Sequence, residues 1–323
     1  MRSGADEDEQ DGPARGRSAR EPATPDPARE EELEQSLLRV EAGGIPLSAE
    51  RRLGELREHS GSFTSDLSVS GWALCHRLGL RPLSQVMGSS IYQVGYQGAP
   101  MSYGAFSGGE LGYLTELSTI SEAWNEVRRR ALNRLELEAK HAGADAVVGV
   151  EVRTGAHDWA TGAIEYVVVG TAVRREGAQP SAQPVMTELS VADYANLARA
   201  GIEPAGIVAW TSVFFVASPE AEMMGGLGGR LMFNENQEIP SYTQGIYAAR
   251  EQTMQRLNWQ AQQLGASGIV GVRIGHRAQR QEVGGANSSR GGLVVTFDAI
   301  GTAVRDTDAI QQDPPKTTVD LSI

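Results

Sequence analysis

The feature that most constrains this chain is an internal repeat: displaced by 122 residues, the sequence lies on itself. Leu67-Ser68-Val69 falls on Leu189-Ser190-Val191, Trp72 on Tyr194, Pro82 on Pro204 and Val86 on Val208. Arg77-Leu78-Gly79-Leu80 meets Arg199-Ala200-Gly201-Ile202, and Arg134-Leu135 meets Arg256-Leu257. The longest match sets the eight residues from Gly143 to Val150 on those from Gly265 to Val272. Near the end the displacement grows to 131, where Gly170-Thr171-Ala172-Val173 meets Gly301-Thr302-Ala303-Val304. The second copy therefore gains nine residues between its last two strands. One small domain used twice is the expectation, over residues 61–178 and 186–306.

Each copy predicts the same element order. A short helix (69–78 and 191–200) stops at a glycine, and a strand follows over 82–96 and 204–217. Glycine-rich connections lead to a long helix over about 121–142 and 243–264. Its buried stripe is expected at Val127, Ala131, Leu135, Ala139 and Ala142, matched by Ala249, Thr253, Leu257, Ala261 and Leu264. A strand begins directly after Gly143 or Gly265 (146–153 and 268–275), and a hairpin strand (164–174 and 291–305) closes the unit. The fold class is α+β: two tandem two-layer β-α-β-β domains, each an antiparallel sheet with one long helix.

Outside the repeats, residues 1–28 are acidic and Pro-rich with little to bury, which predicts disorder. Leu33, Leu37 and Val40, then Leu53 and Leu56, recur at helical spacing and predict a helical hairpin over 29–60. That hairpin either packs on the body or serves as an adaptor to a partner. Residues 307–323 form a tail in which 318–323 could add an edge strand.

Composition narrows the functional classes. Acidic residues outnumber basic ones by 41 to 29, for a net charge of -12, which disfavours binding to nucleic acid or to an anionic membrane. Neither is expected as a partner. The longest apolar run, 207–217, is far too short to span a bilayer. A single cysteine, Cys75, excludes a disulfide framework and fits a reducing, cytoplasmic location.

The chain from Arg134 to Val150 with Gly170 to Val173, and again from Arg256 to Val272 with Gly301 to Val304, resembles the bacterial YbjQ-like or UPF0145 family, also labelled a heavy-metal-binding domain. The resemblance implies a dodecin-like sheet-and-helix subunit that assembles into pentameric rings. For a tandem chain it implies self-association into a ring-like homo-oligomer, pseudo-symmetric or double-layered. It supplies no catalytic residue.

The residues themselves offer little chemistry. Cys75 and His76 are adjacent on a helix, so they point apart, and Cys75 is expected as a small buried apolar residue. His59, His141, His157 and His276 are scattered, so the metal site is unknown; no cofactor is expected and no nucleophile elbow is present. Gly143, Gly265, Gly170 and Gly301 are assigned as structural turn glycines. The Gly-Thr-Ala-Val segments that the last two open are also read as ladder positions. Asp145 and Ser267 are expected to make turn hydrogen bonds. Trp124, Trp210 and Trp259 could stack a planar ligand but are expected to pack. Trp159, with Arg277, Arg280 and Arg290 in the basic, mobile segment 273–292, forms a candidate partner loop. The expected function is a non-enzymatic oligomeric scaffold, with a protein partner at the N-terminal segment or the hairpin loops. The alternative is a metal or small ligand held between subunits.

Overall fold

A computed structural model describes residues 27–58, 64–94, 114–156, 163–177, 179–217, 238–285 and 288–307, with backbone alone over 281–291. Six helices are described: α1 (Pro27–Glu41), α2 (Leu47–Glu58), α3 (Val69–Arg77), α4 (Ser118–Ala142), α5 (Val191–Arg199) and α6 (Pro240–Gln263). The strands are β1 (Leu80–Gln93), β2 (Leu114–Glu116), β3 (Ala146–Ala156), β4 (Ala163–Arg175), β5 (Val185–Met186), β6 (Ile202–Ala217), β7 (Gly268–Gly285) and β8 (Ser288–Asp306). Both glycine-rich connections lie outside the described residues, as do the two terminal tails.

The repeat is visible in the caps. Ser68 and Ser190 each sit before a short helix and accept a bond from Gly71 N and Asp193 N, satisfying one of the free N–H groups of the first turn. Both long helices end at a left-handed glycine, Gly143 (φ 72°) and Gly265 (φ 64°). There Ala144 N returns to Ala139 O and Ala266 N to Ala261 O, closing the helix and launching the next strand. Asp145 accepts from Arg175 N and Ser181 N, while Ser267 Oγ donates to Val304 O, so both positions carry turn hydrogen bonds.

The helical stripes lie on the sheets as expected, with one exception. Val127, Ala131, Leu135 and Ala139 are fully buried, and so are Ala249, Thr253 and Leu257. Leu264 instead caps the end of α6 and is partly exposed. Each fully buried aliphatic side chain of this size stabilises by about 1.5–3 kcal/mol. Thr253 keeps its hydroxyl satisfied by donating to Ser212 Oγ at 3.0 Å and Ala249 O at 2.9 Å.

The glycines of the closing motif are not turns. Gly170 pairs with Val86 in the middle of β4, and Gly301 pairs with Val208 in β8. A Cβ on Gly170 would meet Val147 Cγ1 at 2.7 Å, and one on Gly301 would meet Ile269 Cγ2 at 3.0 Å. They are glycines because a neighbouring strand presses on them. That strand bulges at Gly149 (φ 63°) and Gly271 (φ 64°), the third glycine position of each copy, which the sequence reading passed over.

The α1–α2 hairpin packs on the first repeat through Ile45 and Leu53, which join the core of α4. The segment expected as a mobile basic loop is paired strand instead: β7 and β8 run against each other from Gly268↔Val304 to Gly285↔Ser288. Beyond the bulge at Gly271 the pairing continues without a register shift from Arg273↔Ile300 to Gly285↔Ser288, which accounts for it.

Candidate functional site

The two sheets are not independent. Their orders are β1-β4-β3-β5 and β2-β6-β8-β7, so each repeat lends the other one short strand. β2, which enters the helix of repeat 1, pairs with β6 of repeat 2. β5, which leads into repeat 2, pairs in parallel with β3 of repeat 1.

The α4 helix completes what β2 begins. Ser121, Asn125 and Arg128 share one face by their spacing. Ser121 Oγ accepts from Val213 N at 2.9 Å, and Asn125 Oδ1 accepts from Thr211 N at 3.0 Å. Asn125 Nδ2 donates to Thr211 O at 2.9 Å, and Arg128 Nη1 to Thr211 Oγ1 at 2.9 Å. Gln260 of α6 accepts from Ala209 N and donates to Ala209 O. Side chains and a three-residue strand thus satisfy the outer edge of β6, which would otherwise invite another chain. On the opposite side, Thr187 N donates to Val147 O while Val150 N and Gly149 N donate to Thr187 O and Leu189 O. Thr187 and Thr302 share a buried hydroxyl contact of 3.0 Å.

A polar cleft of about 260 Å³ follows the junction, lined by Trp124, Arg128, Tyr166, Arg273, Arg277 and Asp298 among others. Burial lowers the pKa of the Arg128 guanidinium, against the pull of Tyr166 and Asp298, and raises that of the Tyr166 phenol. Glu188, ion-paired with Arg273, is also shifted upward by burial. Arg277 lies over the Trp124 ring at 5.5 Å. The arrangement can hold two surfaces together and seat an anion or a planar group.

Of the candidate partner residues, Arg277 reaches this cleft and Arg280 is exposed on β7. Arg290 lies on β8 opposite Val283, and Trp159 is outside the described residues. Trp210 lines a second cleft and Trp259 is exposed. Sequence reasoning missed Ser121, Asn125 and Arg128; polar residues on a charged helix gave it no signal.

These features define a class: a tandem α+β protein whose two repeats are joined by exchanged strands. The chain belongs to the family described as "Putative heavy-metal-binding", whose model matches residues 85–176 and 230–307. It is 36% identical over 267 residues to a Mycobacterium tuberculosis protein named as an encapsulin nanocompartment protein, covering 81% of this chain and 91% of that one. UPF0145 proteins of Clostridium novyi and Natronomonas pharaonis are 48% and 42% identical over 59 residues, 18% of this chain and 55% of each relative. No solved structure matches.

A heavy metal does not fit the residues described. Cys75 is fully buried among Leu80, Val148 and Val191, and desolvation raises its thiol pKa, away from the thiolate a metal needs. His76 turns to the edge of Trp72, with ring centroids 5.0 Å apart. Among the described residues no three His, Cys, Asp or Glu side chains converge.

Proposed function

We propose that this protein is a non-enzymatic, self-associating scaffold that forms a closed ring. The observation that carries the reading is the exchange of β2 and β5: the buried polar side chains at the junction join one repeat to the next. The relative named for an encapsulin nanocompartment supports a role in a protein assembly. A net charge of -12 argues against nucleic acid, no described helix is long and apolar enough to cross a membrane, and a buried, protonated Cys75 suits the cytoplasm. A protein partner would meet α1, whose Leu33, Leu37 and Leu38 are all exposed, the β7–β8 hairpin that carries Arg277, Arg280 and Arg290, or the segment of repeat 1 that holds Trp159.

The test is native mass spectrometry with sedimentation velocity on protein purified without added metal. A single closed oligomer is the expected result; a monomer at micromolar concentration ends the scaffold reading.

One observation favours a second reading, a small planar ligand held beside the junction. A cleft of about 650 Å³ there is lined by Tyr92, Arg128, Trp210 and Gln260, and Trp210 Nε1 is buried without a partner. The same spectra report it as a stoichiometric mass excess over the bare chain.

A further inference from the structure

The junction inside the chain uses one surface of each repeat, and the duplication supplies both surfaces twice. β6 is covered along its outward positions: Ala209, Thr211, Val213 and Phe215 are 7%, 2%, 1% and 5% exposed. Their counterparts on β1 are open, since Met87 and Ile91 are 47% and 56% exposed. β1 is also the terminal strand of its sheet, with no described strand on its outer side at 92–94, the place where β6 receives β2.

The complementary half is equally unoccupied. Arg128 on α4 is buried and Asn125 half-buried against β6, whereas Arg250 and Tyr247 at the matching places on α6 are exposed, Tyr247 to 65%. β7 ends its sheet, so Gly271 and Val272 have no described strand where Gly149 and Val150 receive the linker. Residues 65–67, matched to 187–189, lie at the start of repeat 1, and no described strand pairs with them as β3 pairs with 187–189.

We infer that a second copy of this chain docks head to tail, its α6 covering the β1 edge of the first. Residues 65–67 of the first copy would then lie along β7 of the second. The proposal rests on the scaffold reading and names its joining surfaces. The contact repeats the geometry of the internal junction, with Tyr247 facing Ser89, between Met87 and Ile91, where Asn125 bonds to Thr211 on β6. It is heterologous, so it leaves an open end on every chain until the assembly closes. A ring built only this way contains an even number of repeats, because each chain brings two.

The experiment uses the full chain with Ile91→Asp or Tyr247→Asp, both at exposed positions that leave the internal core alone. Each variant is expected to run as a monomer in sedimentation velocity while keeping its thermal transition, the dissociation constant rising about 30-fold or more. An equimolar mixture is expected to yield a dimer, since Tyr247→Asp keeps an intact β1 edge and Ile91→Asp an intact α6. Leu33→Asp, on the exposed face of α1, keeps the wild-type mass. Single variants that retain the wild-type oligomer, or a mixture that stays monomeric beside an oligomeric wild type, overturn the head-to-tail contact alone. A monomeric wild type removes the scaffold reading and this contact together. Met87→Glu gives a second probe of the same edge if Ile91→Asp lowers the melting temperature.

Discussion

Arg134 and Arg256 stand at the same place in the two repeats and do different work. Arg134 is buried and donates to Gly44 O at 3.1 Å, Ser89 O at 2.6 Å and Val40 O at 2.8 Å, pinning the α1–α2 hairpin to both the helix and the sheet of repeat 1. Arg256 instead lies over the Trp210 ring at 5.1 Å. The position opposite explains the divergence. Repeat 1 has Gly88 there, and a Cβ on it would sit 1.9 Å from Ala131 O, so helix and sheet touch backbone to backbone. Repeat 2 has Trp210 at that place, which no such approach could accommodate. A duplicated backbone keeps its topology, while single positions decide whether a repeat binds its own chain or opens a cleft.

Filling the close contact breaks the comparison most severely. Gly88→Val would drive side-chain atoms into the backbone of α4, and overpacking with no room to relax costs about 3 kcal/mol. Chemical denaturation should show that loss. A cost below about 1 kcal/mol would mean that α4 can slide, contrary to the contact described.

The two arginines give the next test. Arg134→Met leaves the carbonyls of Val40, Gly44 and Ser89 without their charged donor, at a cost of about 2–4 kcal/mol in all. Arg256→Met removes a cation–π contact worth about 0.5–1 kcal/mol. Limited proteolysis should also find the 42–46 connection newly accessible in the first variant only. Equal losses would show that the two positions have not diverged in role.

Much of this architecture was legible because it rests on local rules. Gly143 and Gly265 had to stop helices, and the apolar stripe of α4 had to face a sheet. What could not be read is what depends on contact between repeats. β2 and β5 are three and two residues long, too short to show an alternating pattern. Asn125 and Arg128 look like any polar residues on a charged helix until Thr211 is set beside them. Gly170 and Gly301 fit a turn or a ladder position equally by sequence; their constraint comes from Val147 and Ile269 on the adjoining strand. Leu264 fits the helical period, but the chain has left the helix before the period returns to the core.

The smallest effect sharpens the comparison at the sheet edge. Glu138 is buried on α4 and accepts from Met87 N at 2.9 Å and from Arg52 at 3.0 Å, while Gln260 makes the matching contact with Ala209 N. Burial raises the Glu138 pKa, against the opposing pull of Met87 N–H, Arg52 and His141. A carboxyl raised in the folded state gives stability that is full below its unfolded value of about 4.3 and is lost as pH rises through the folded value. Glu188 is shifted the same way, whereas Glu126, held by Arg129 and Arg130, is shifted down and opposes them at acid pH. Glu138→Gln makes repeat 1 resemble repeat 2 at this position and removes one of the two upward-shifted carboxyls among the described residues. Its melting temperature should therefore fall less than that of the wild type as pH rises above about 4.3. Gln260→Glu should do the reverse, adding a fall as pH rises. Identical pH profiles for both variants and the wild type would show that the edge contact at Met87 is indifferent to charge.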